Sequence, residues 1–219
     1  MSTILIVPGL HSSGASHWQT WFQQQIPEAR RVEQADWGNP VLAAWTGWIR
    51  REIDRASGPV WLVAHSFGCL AAVSAAVDRP ERVAGMMLVA PADPDRFGLD
   101  GLRTPNDECL PITQFLPTQQ LPFPSILIAS TDDPWLTPFR ATWLAERWGS
   151  RYWSLGAAGH INAESGFGPW PEGLRMFRAL QAAQGSLPLG GLSTSDRPQL
   201  LRNSSLARIR HRTRVHFHY

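Results

Sequence analysis

The strongest constraint on the fold of this chain is the alternation of short apolar segments with longer amphipathic ones. Short β-branched or apolar segments are typical of buried strands, whereas apolar residues three or four positions apart are typical of helices. Alternating strands and helices predict an α/β protein with a parallel sheet, and right-handed crossovers place helices on both faces as a three-layer sandwich. The six predicted strands are 3–7, 30–35, 60–64, 83–89, 125–130 and 151–154.

Local signals predict where the helices begin. Ser16 and Gln19 match a capping box, and Asn39–Pro40 matches a cap followed by a first-turn proline. Further helices are predicted over 68–78, from 137–138 onward and over 171–183. Residues 91–124 are rich in proline and aspartate and show weak periodicity, which predicts a lid, a binding loop or a disordered segment.

The charged residues divide the chain into two parts. Residues 1–183 carry 14 Arg against 17 Asp and Glu, a net charge of −3, whereas residues 184–219 carry 6 Arg against 1 Asp, a net charge of +5. We therefore predict one domain over 1–183 and an Arg-rich C-terminal extension over 184–219 that is disordered or weakly ordered. The domain has no basic surface for nucleic acid, and only the extension could bind nucleic acid weakly.

Composition also excludes several kinds of chemistry. All 20 basic residues are arginine, so a Schiff-base lysine, a Walker lysine and a Ser-Lys catalytic pair are excluded. There is no P-loop, dinucleotide fingerprint or metal-ligand spacing, so we expect no cofactor and no metal.

The chain has no apolar run long enough for a membrane helix, and Met1–Leu10 does not resemble a secretory signal. With only two cysteines, Cys69 and Cys109, a cytoplasmic location is expected.

Residues 64–68, Ala-His-Ser-Phe-Gly, lie between a predicted strand and a predicted helix of small residues. This is the context of a nucleophile elbow, in which a serine projects from a tight turn at the carboxyl edge of the sheet. The residues two before and two after the serine must be small, and here they are Ala64 and Gly68. Alanine in place of the usual first glycine departs from the strict pattern. Ser66 is therefore either a nucleophile or a simple helix cap.

A serine nucleophile needs a base, and the base needs an acid that orients it. His160 is the one histidine between Ser66 and the C-terminal extension, and it follows the last predicted strand. In this kind of sheet the acid lies between the serine and the histidine in the chain. Asp132 and Asp133 are adjacent, and two adjacent carboxylates cannot both face one imidazole. Asp133 is favoured as the acid, with Asp132 as the alternative. Asp93 and Asp95, after the preceding strand, are weaker candidates.

The loop after the first strand and the elbow should together bind a developing oxyanion. The expected donors are the N–H groups of Leu10 and Phe67. Several neighbours have predicted supporting roles: His11, Ser12 and Trp135 in the substrate pocket, Cys69 in the core, and Asn162 and Glu164 in the His160 loop. His17 is predicted either to approach the site or, as the favoured alternative, to end a helix on the surface.

The chain resembles the YdeN-like serine hydrolases of the α/β-hydrolase superfamily, which include retinoblastoma-binding protein nine. The resemblance covers about residues 3–181 and depends on IVPGL, SSGASHW, VEQADWGNP, VAHSFG, VAPADP, ASTDDPW and LGAAGHINAESGFGPWPEG. It implies a compact α/β-hydrolase fold that lacks the first two strands of larger members. It also implies a catalytic triad of Ser66, Asp133 and His160.

Together, the residues and the resemblance predict a cytoplasmic serine hydrolase of carboxylesterase or amidase type. It is expected to act on a small-molecule ester or amide through an acyl-enzyme. The alternative is a non-catalytic protein-binding module built on a hydrolase scaffold. The resemblance does not identify the substrate of this chain.

Overall fold

The computed structural model describes residues 2–104 and 106–185. Its strands are β1 (Thr3–Val7), β2 (Ala29–Arg31), β3 (Val60–His65), β4 (Val83–Val89), β5 (Phe97–Gly98), β6 (Gly101–Leu102), β7 (Ser125–Ala129) and β8 (Arg151–Ser154). Its α-helices are α1 (Trp18–Gln25), α2 (Leu42–Arg55), α3 (Phe67–Ala76), α4 (Pro138–Trp148) and α5 (Pro171–Gly185). Short 3₁₀ helices cover Pro94–Arg96, Ile112–Gln114 and Ala163–Ser165.

The main sheet has six parallel strands in the order β2-β1-β3-β4-β7-β8, which confirms the predicted fold class. Successive strand residues point to opposite faces, so β1 divides its side chains between two cores. Leu5 and Val7 pack with α2, α3 and α4, whereas Ile4 and Ile6 pack with α1 and α5. Helices therefore cover both faces of the sheet.

Helix α3 is the most deeply buried helix described, because all of its residues are buried. It contacts the sheet strands β1, β3 and β4 and also packs against α2. Small residues allow this close approach from both sides, and Ala71, Ala72, Ala75 and Ala76 are fully buried. The position of α3 matters for function, because its N-terminus carries the elbow.

The predicted strand at 30–35 is wrong in its bounds. β2 covers only Ala29–Arg31, and the Val32 N–H still donates to the Ile6 carbonyl. β2 is an edge strand that pairs only with β1, and β1 ends at Val7. The pairing between β1 and β2 ends at Ile6 and Arg31.

Two predicted helix starts are also wrong. α1 is capped by His17, whose Nδ1 accepts from the Gln19 N–H at 3.2 Å, and not by Ser16. The Gln19 side chain points inward and donates to the carbonyls of Val7 and Val63, both at 3.1 Å. α2 begins at Leu42, because the Asn39 carbonyl instead accepts from the Val41 N–H.

The segment between β4 and β7 has more structure than its weak periodicity indicates. β5 and β6 pair as a short antiparallel hairpin. Ile112, Leu116, Leu121 and Phe123 are buried in the core beneath α2, α3 and α4. The predicted extension over 184–219 lies outside the described residues except for Gln184 and Gly185. None of the helices described is long and apolar enough to cross a bilayer.

Candidate active site

Ser66 stands at the junction of β3 and α3 in a strained conformation. Its φ of 55° and ψ of −130° are rare for a residue with a side chain. Its N–H donates to the Val89 carbonyl at 3.1 Å, which ties the turn to β4. Ser66 is the N-cap residue of α3 by position, yet its side chain makes no capping hydrogen bond. The turn instead aims the hydroxyl away from the helix.

Two glycines make room for this turn. A Cβ atom on Gly68 would collide with the Pro8 carbonyl oxygen, and one on Gly9 would lie 2.6 Å from Ser66 Cβ. The small residue expected after the serine is therefore required by the end of β1. Ala64, which replaces the usual first glycine, is fully buried within the regular strand β3, so its methyl group fits the core.

The Ser66 hydroxyl meets His160, and His160 meets Asp133. Ser66 Oγ lies 2.9 Å from His160 Nε2, while His160 Nδ1 lies 2.9 and 3.0 Å from the two carboxylate oxygens of Asp133. A carboxylate only accepts, so Nδ1 carries the proton and Nε2 is free to accept from the serine. The side chains of His160 and Asp133 are 9% and 2% exposed, so water competes little for these bonds.

Asp132, the other candidate acid, contacts the His160 loop and not the imidazole. Its Oδ1 accepts from the N–H groups of Ala158 and Gly159, at 2.9 and 2.7 Å, and from the Ser130 hydroxyl at 2.6 Å. The Ser130 hydroxyl and then the Gly159 N–H hold the pKa of Asp132 below its ordinary value. Asp132 therefore holds the loop that carries His160, while Asp133 contacts the imidazole itself.

The weaker candidates, Asp93 and Asp95, lie elsewhere. Both bind Arg140, at 3.1 and 2.9 Å from its guanidinium. Asp93 also accepts from the Asp95 N–H at 3.1 Å. Both carboxylates are thus used to join the segment after β4 to helix α4.

The His160 loop is also held from its far side. The His160 N–H donates to Ser165 Oγ at 3.1 Å, and that hydroxyl donates to Asn162 Oδ1 at 2.9 Å. Asn162 is thus part of the loop support, as predicted, whereas Glu164 is exposed and makes none of these bonds. Gly159, with φ of 55°, leaves no room for a Cβ beside Ser165.

One further histidine packs beside His160, and another packs beside that one. The His65 ring lies 4.9 Å from the His160 ring, and the His17 ring lies 4.9 Å from the His65 ring. His65 Nε2–H donates to the His160 carbonyl at 2.9 Å, since a carbonyl can only accept. The prediction of His17 on the surface is wrong, because this side chain is buried against Trp18 and His65.

Burial keeps both of these imidazoles neutral. Desolvation lowers the pKa of His17 to about 4, with smaller contributions from Arg31 and His160. Desolvation also holds the pKa of His65 well below its ordinary value. Neither ring therefore places a fixed positive charge next to His160 near neutral pH. The sequence signal for His65 was its position inside the elbow, directly before the serine.

The expected oxyanion donors lie on the two segments that meet at Ser66. Phe67 begins α3, so its N–H has no acceptor within the helix. Leu10 follows Gly9, which packs against the Ser66 side chain. Of the hydrogen bonds found within 2–104 and 106–185, none uses the Leu10 N–H. Leu10 and Phe67 thus each directly follow one of the two residues in contact here, Gly9 and Ser66.

The predicted pocket residues occupy different surroundings. His11 is exposed and Ser12 is half-buried, and both have φ of 64° in the turn after β1. Trp135 lies closer to His160: its ring is 6.0 Å from the His160 ring, and its main-chain N–H donates to Asp133 Oδ1 at 2.8 Å. Trp135 also lines a cavity of about 640 Å³.

Cys69 is buried in α3, and burial raises the pKa of its thiol, so it is a core residue as predicted. Both cysteines are free thiols. Among the residues that the structure describes, no cluster of His, Cys, Asp and Glu could hold a metal ion.

This sheet, with an elbow serine at its carboxyl edge, defines an α/β hydrolase. The family model described as serine hydrolase matches residues 4–179, and the chain belongs to that family. The resemblance to YdeN-like hydrolases is likewise confirmed. The family and the fold therefore support a hydrolytic function for this chain.

Solved structures support the same assignment. A structure described as a YdeN-like hydrolase from Pectobacterium atrosepticum is 37% identical, covering 84% of this chain and 92% of that one, with a TM-score of 0.74. The ydeN gene product of B. subtilis is 18% identical over 83% of this chain and 100% of its own, with a TM-score of 0.64. Est1E of Butyrivibrio proteoclasticus, with ferulic acid bound, is 11% identical over 84% and 88%, with a TM-score of 0.61. The last two likenesses concern the fold alone, and a search of curated proteins gave no match.

Proposed function

We propose that this protein is a serine hydrolase that cleaves a small ester or amide through an acyl-enzyme, with Ser66, His160 and Asp133 as its catalytic triad. The observation that carries the proposal is the continuous hydrogen-bonded chain from the Ser66 hydroxyl through His160 to Asp133. The three residues follow three different strands, so their contacts cannot be explained as hydrogen bonds within a single turn. The free thiols support a cytoplasmic location as part of the proposal.

Acylation follows from this geometry. Ser66 Oγ attacks the substrate carbonyl carbon while His160 Nε2 accepts the hydroxyl proton. The carbonyl oxygen becomes an oxyanion, which the N–H groups of Leu10 and Phe67 bind. When the tetrahedral intermediate collapses, the bond to the leaving alcohol or amine breaks, and His160 gives that group its proton. Asp133 stabilises the imidazolium that exists in between.

Deacylation repeats the sequence with water. His160 Nε2 accepts a proton from the water as its oxygen attacks the acyl carbon. The second tetrahedral intermediate collapses, the bond to Ser66 Oγ breaks, and His160 returns the proton to the serine. Asp132, Ser165 and His65 keep the His160 main chain in place, because each bonds to it or to a neighbouring residue. They are positioning residues.

Turnover of simple chromogenic substrates tests the proposal. We expect the protein to release p-nitrophenol from p-nitrophenyl acetate and butyrate faster than buffer does, and the matching anilides measure amide cleavage. Ser66→Ala should reduce the release to near the buffer rate, while Ser57→Ala, at an exposed serine, should keep the wild-type rate. A wild-type rate in Ser66→Ala would show that another group carries the reaction.

A further inference from the structure

A cavity of about 640 Å³ is lined by Pro134 and Trp135, which directly follow the proposed triad acid Asp133 in the chain. One wall is Trp135, whose main-chain N–H donates to Asp133 Oδ1 and whose ring lies 6.0 Å from the His160 ring. The other walls come from Arg96 and from Leu102 and Arg103 of the hairpin segment. This volume lies within the range of small-molecule sites in proteins. Ser66, Asp133 and His160 do not line this cavity themselves, and Trp135 is the lining residue whose ring lies beside His160.

The cavity has an excess of positive charge. Arg96 and Arg103 line it, and neither takes part in any ion pair found in the described part of the chain. Among the bonds found in the described residues, the Arg103 guanidinium donates to the main-chain carbonyls of Asp95 and Asp107, at 3.0 and 3.2 Å. Asp95, the carboxylate at this cavity, is already bound by Arg140 at 2.9 Å and by the Thr113 hydroxyl.

Arg96 is held in a position suited to a ligand. Its guanidinium carbon lies 4.6 Å from the centroid of the Trp135 ring. A guanidinium that stacks on an aromatic face keeps its edge N–H donors free, and this edge matches a carboxylate in a two-point contact. The apolar surfaces of Trp135 and Leu102 suit the methylene groups that would connect that carboxylate to the reacting carbonyl.

We propose that the substrate is an ester or amide whose acyl chain ends in a carboxylate, and that Arg96 binds this carboxylate in the cavity beside Trp135. The inference rests on the proposed function and adds the substrate class to it. Arg96 would be a specificity residue, because it recognises the far end of the acyl chain and takes no part in bond breaking. Arg103 adds a second positive charge that attracts the same group.

Two esters that differ only at the end of the acyl chain provide the test. Mono-p-nitrophenyl adipate carries a carboxylate where p-nitrophenyl hexanoate carries a methyl group. We expect the wild-type protein to favour the adipate ester in kcat/KM, and Arg96→Gln to reduce that preference about tenfold, as the loss of one partly exposed charged hydrogen bond implies. The preference is the ratio of two kcat/KM values measured on the same protein, so a general loss of activity in the variant cancels out of it.

A matched control is present in the same chain. Arg51 also stacks on a tryptophan, 4.3 Å from the Trp48 ring centroid, on helix α2 away from this cavity. Arg51→Gln removes the same kind of contact and should leave both kcat/KM values unchanged. An absent preference in the wild-type protein, or a preference in Arg96→Gln equal to that in Arg51→Gln, would overturn the proposal.

Binding separates this proposal from the proposed function. Calorimetry with monomethyl adipate and Ser66→Ala measures recognition without turnover. Affinity should fall about tenfold when Arg96→Gln is added, and raising the salt concentration should weaken it. If neither ester is hydrolysed but this loss is seen, the hydrolase proposal fails while the carboxylate site stands. Equal affinity with and without Arg96 would overturn the site itself.

Discussion

Replacing His160 with alanine is expected to lower kcat for ester hydrolysis by about 10⁴-fold or more, the scale seen when a triad base is lost. His160 Nε2 is the group that meets the Ser66 hydroxyl, at 2.9 Å. No lysine exists in the chain to replace it. His65 cannot take over, because its Nε2–H is committed to the His160 carbonyl and desolvation keeps its pKa low.

Steady-state kinetics with p-nitrophenyl butyrate measure this loss. Thermal unfolding of the variant should show a folded protein, so that the loss is assigned to chemistry. Added imidazole can occupy the space that the side chain leaves and should restore part of the activity. A His160→Ala protein with a kcat within tenfold of wild type would rule out His160 as the base.

Asp133→Asn is expected to lower kcat by about 10⁴-fold, whereas Asp132→Asn should lower it by only about tenfold. The two changes are chemically identical and one residue apart, so they form a matched pair. An asparagine at 133 no longer holds the proton on His160 Nδ1, and the wrong tautomer cannot accept from Ser66. An asparagine at 132 weakens the bonds to Ala158 and Gly159, but Ser165 and His65 still hold the loop.

The pH dependence of kcat/KM for both variants, measured beside wild type, separates these roles. The Asp133→Asn profile should change shape, since the carboxylate that stabilises the imidazolium is gone. The Asp132→Asn profile should keep the wild-type shape at a lower level. An Asp132→Asn loss equal to or larger than that of Asp133→Asn would reverse the assignment.

The sequence predicts the fold and the elbow well because both depend on short-range patterns. The strand before Ser66 and the small-residue helix after it are continuous in the chain, and Gly68 marks the close approach to Pro8. The rule that parallel strands end at one edge then brings Asp133 and His160 to the same place. These features need no knowledge of distant packing.

Other features depend on contacts that the local sequence does not encode. Asp132 and Asp133 are neighbouring, chemically identical side chains that differ in what they contact. Asp132 accepts from the Gly159 N–H and Asp133 contacts the His160 imidazole, and both groups belong to the loop after β8. His17 precedes a helix, as many surface residues do, yet it is buried because the His65 ring lies above it. Asn39 carries a valid capping signal, but its carbonyl accepts from the Trp45 indole and its side chain meets the Gly101 hairpin.

Covalent labelling tests the central claim, that Ser66 is the activated nucleophile, most directly. The folded protein is treated with a fluorophosphonate, digested, and mapped by mass spectrometry. The account predicts one adduct per chain, on the peptide that contains Ser66, with no adduct in Ser66→Ala and slow labelling in His160→Ala. Absence of an adduct in folded wild-type protein, or an adduct on a different residue, would contradict it.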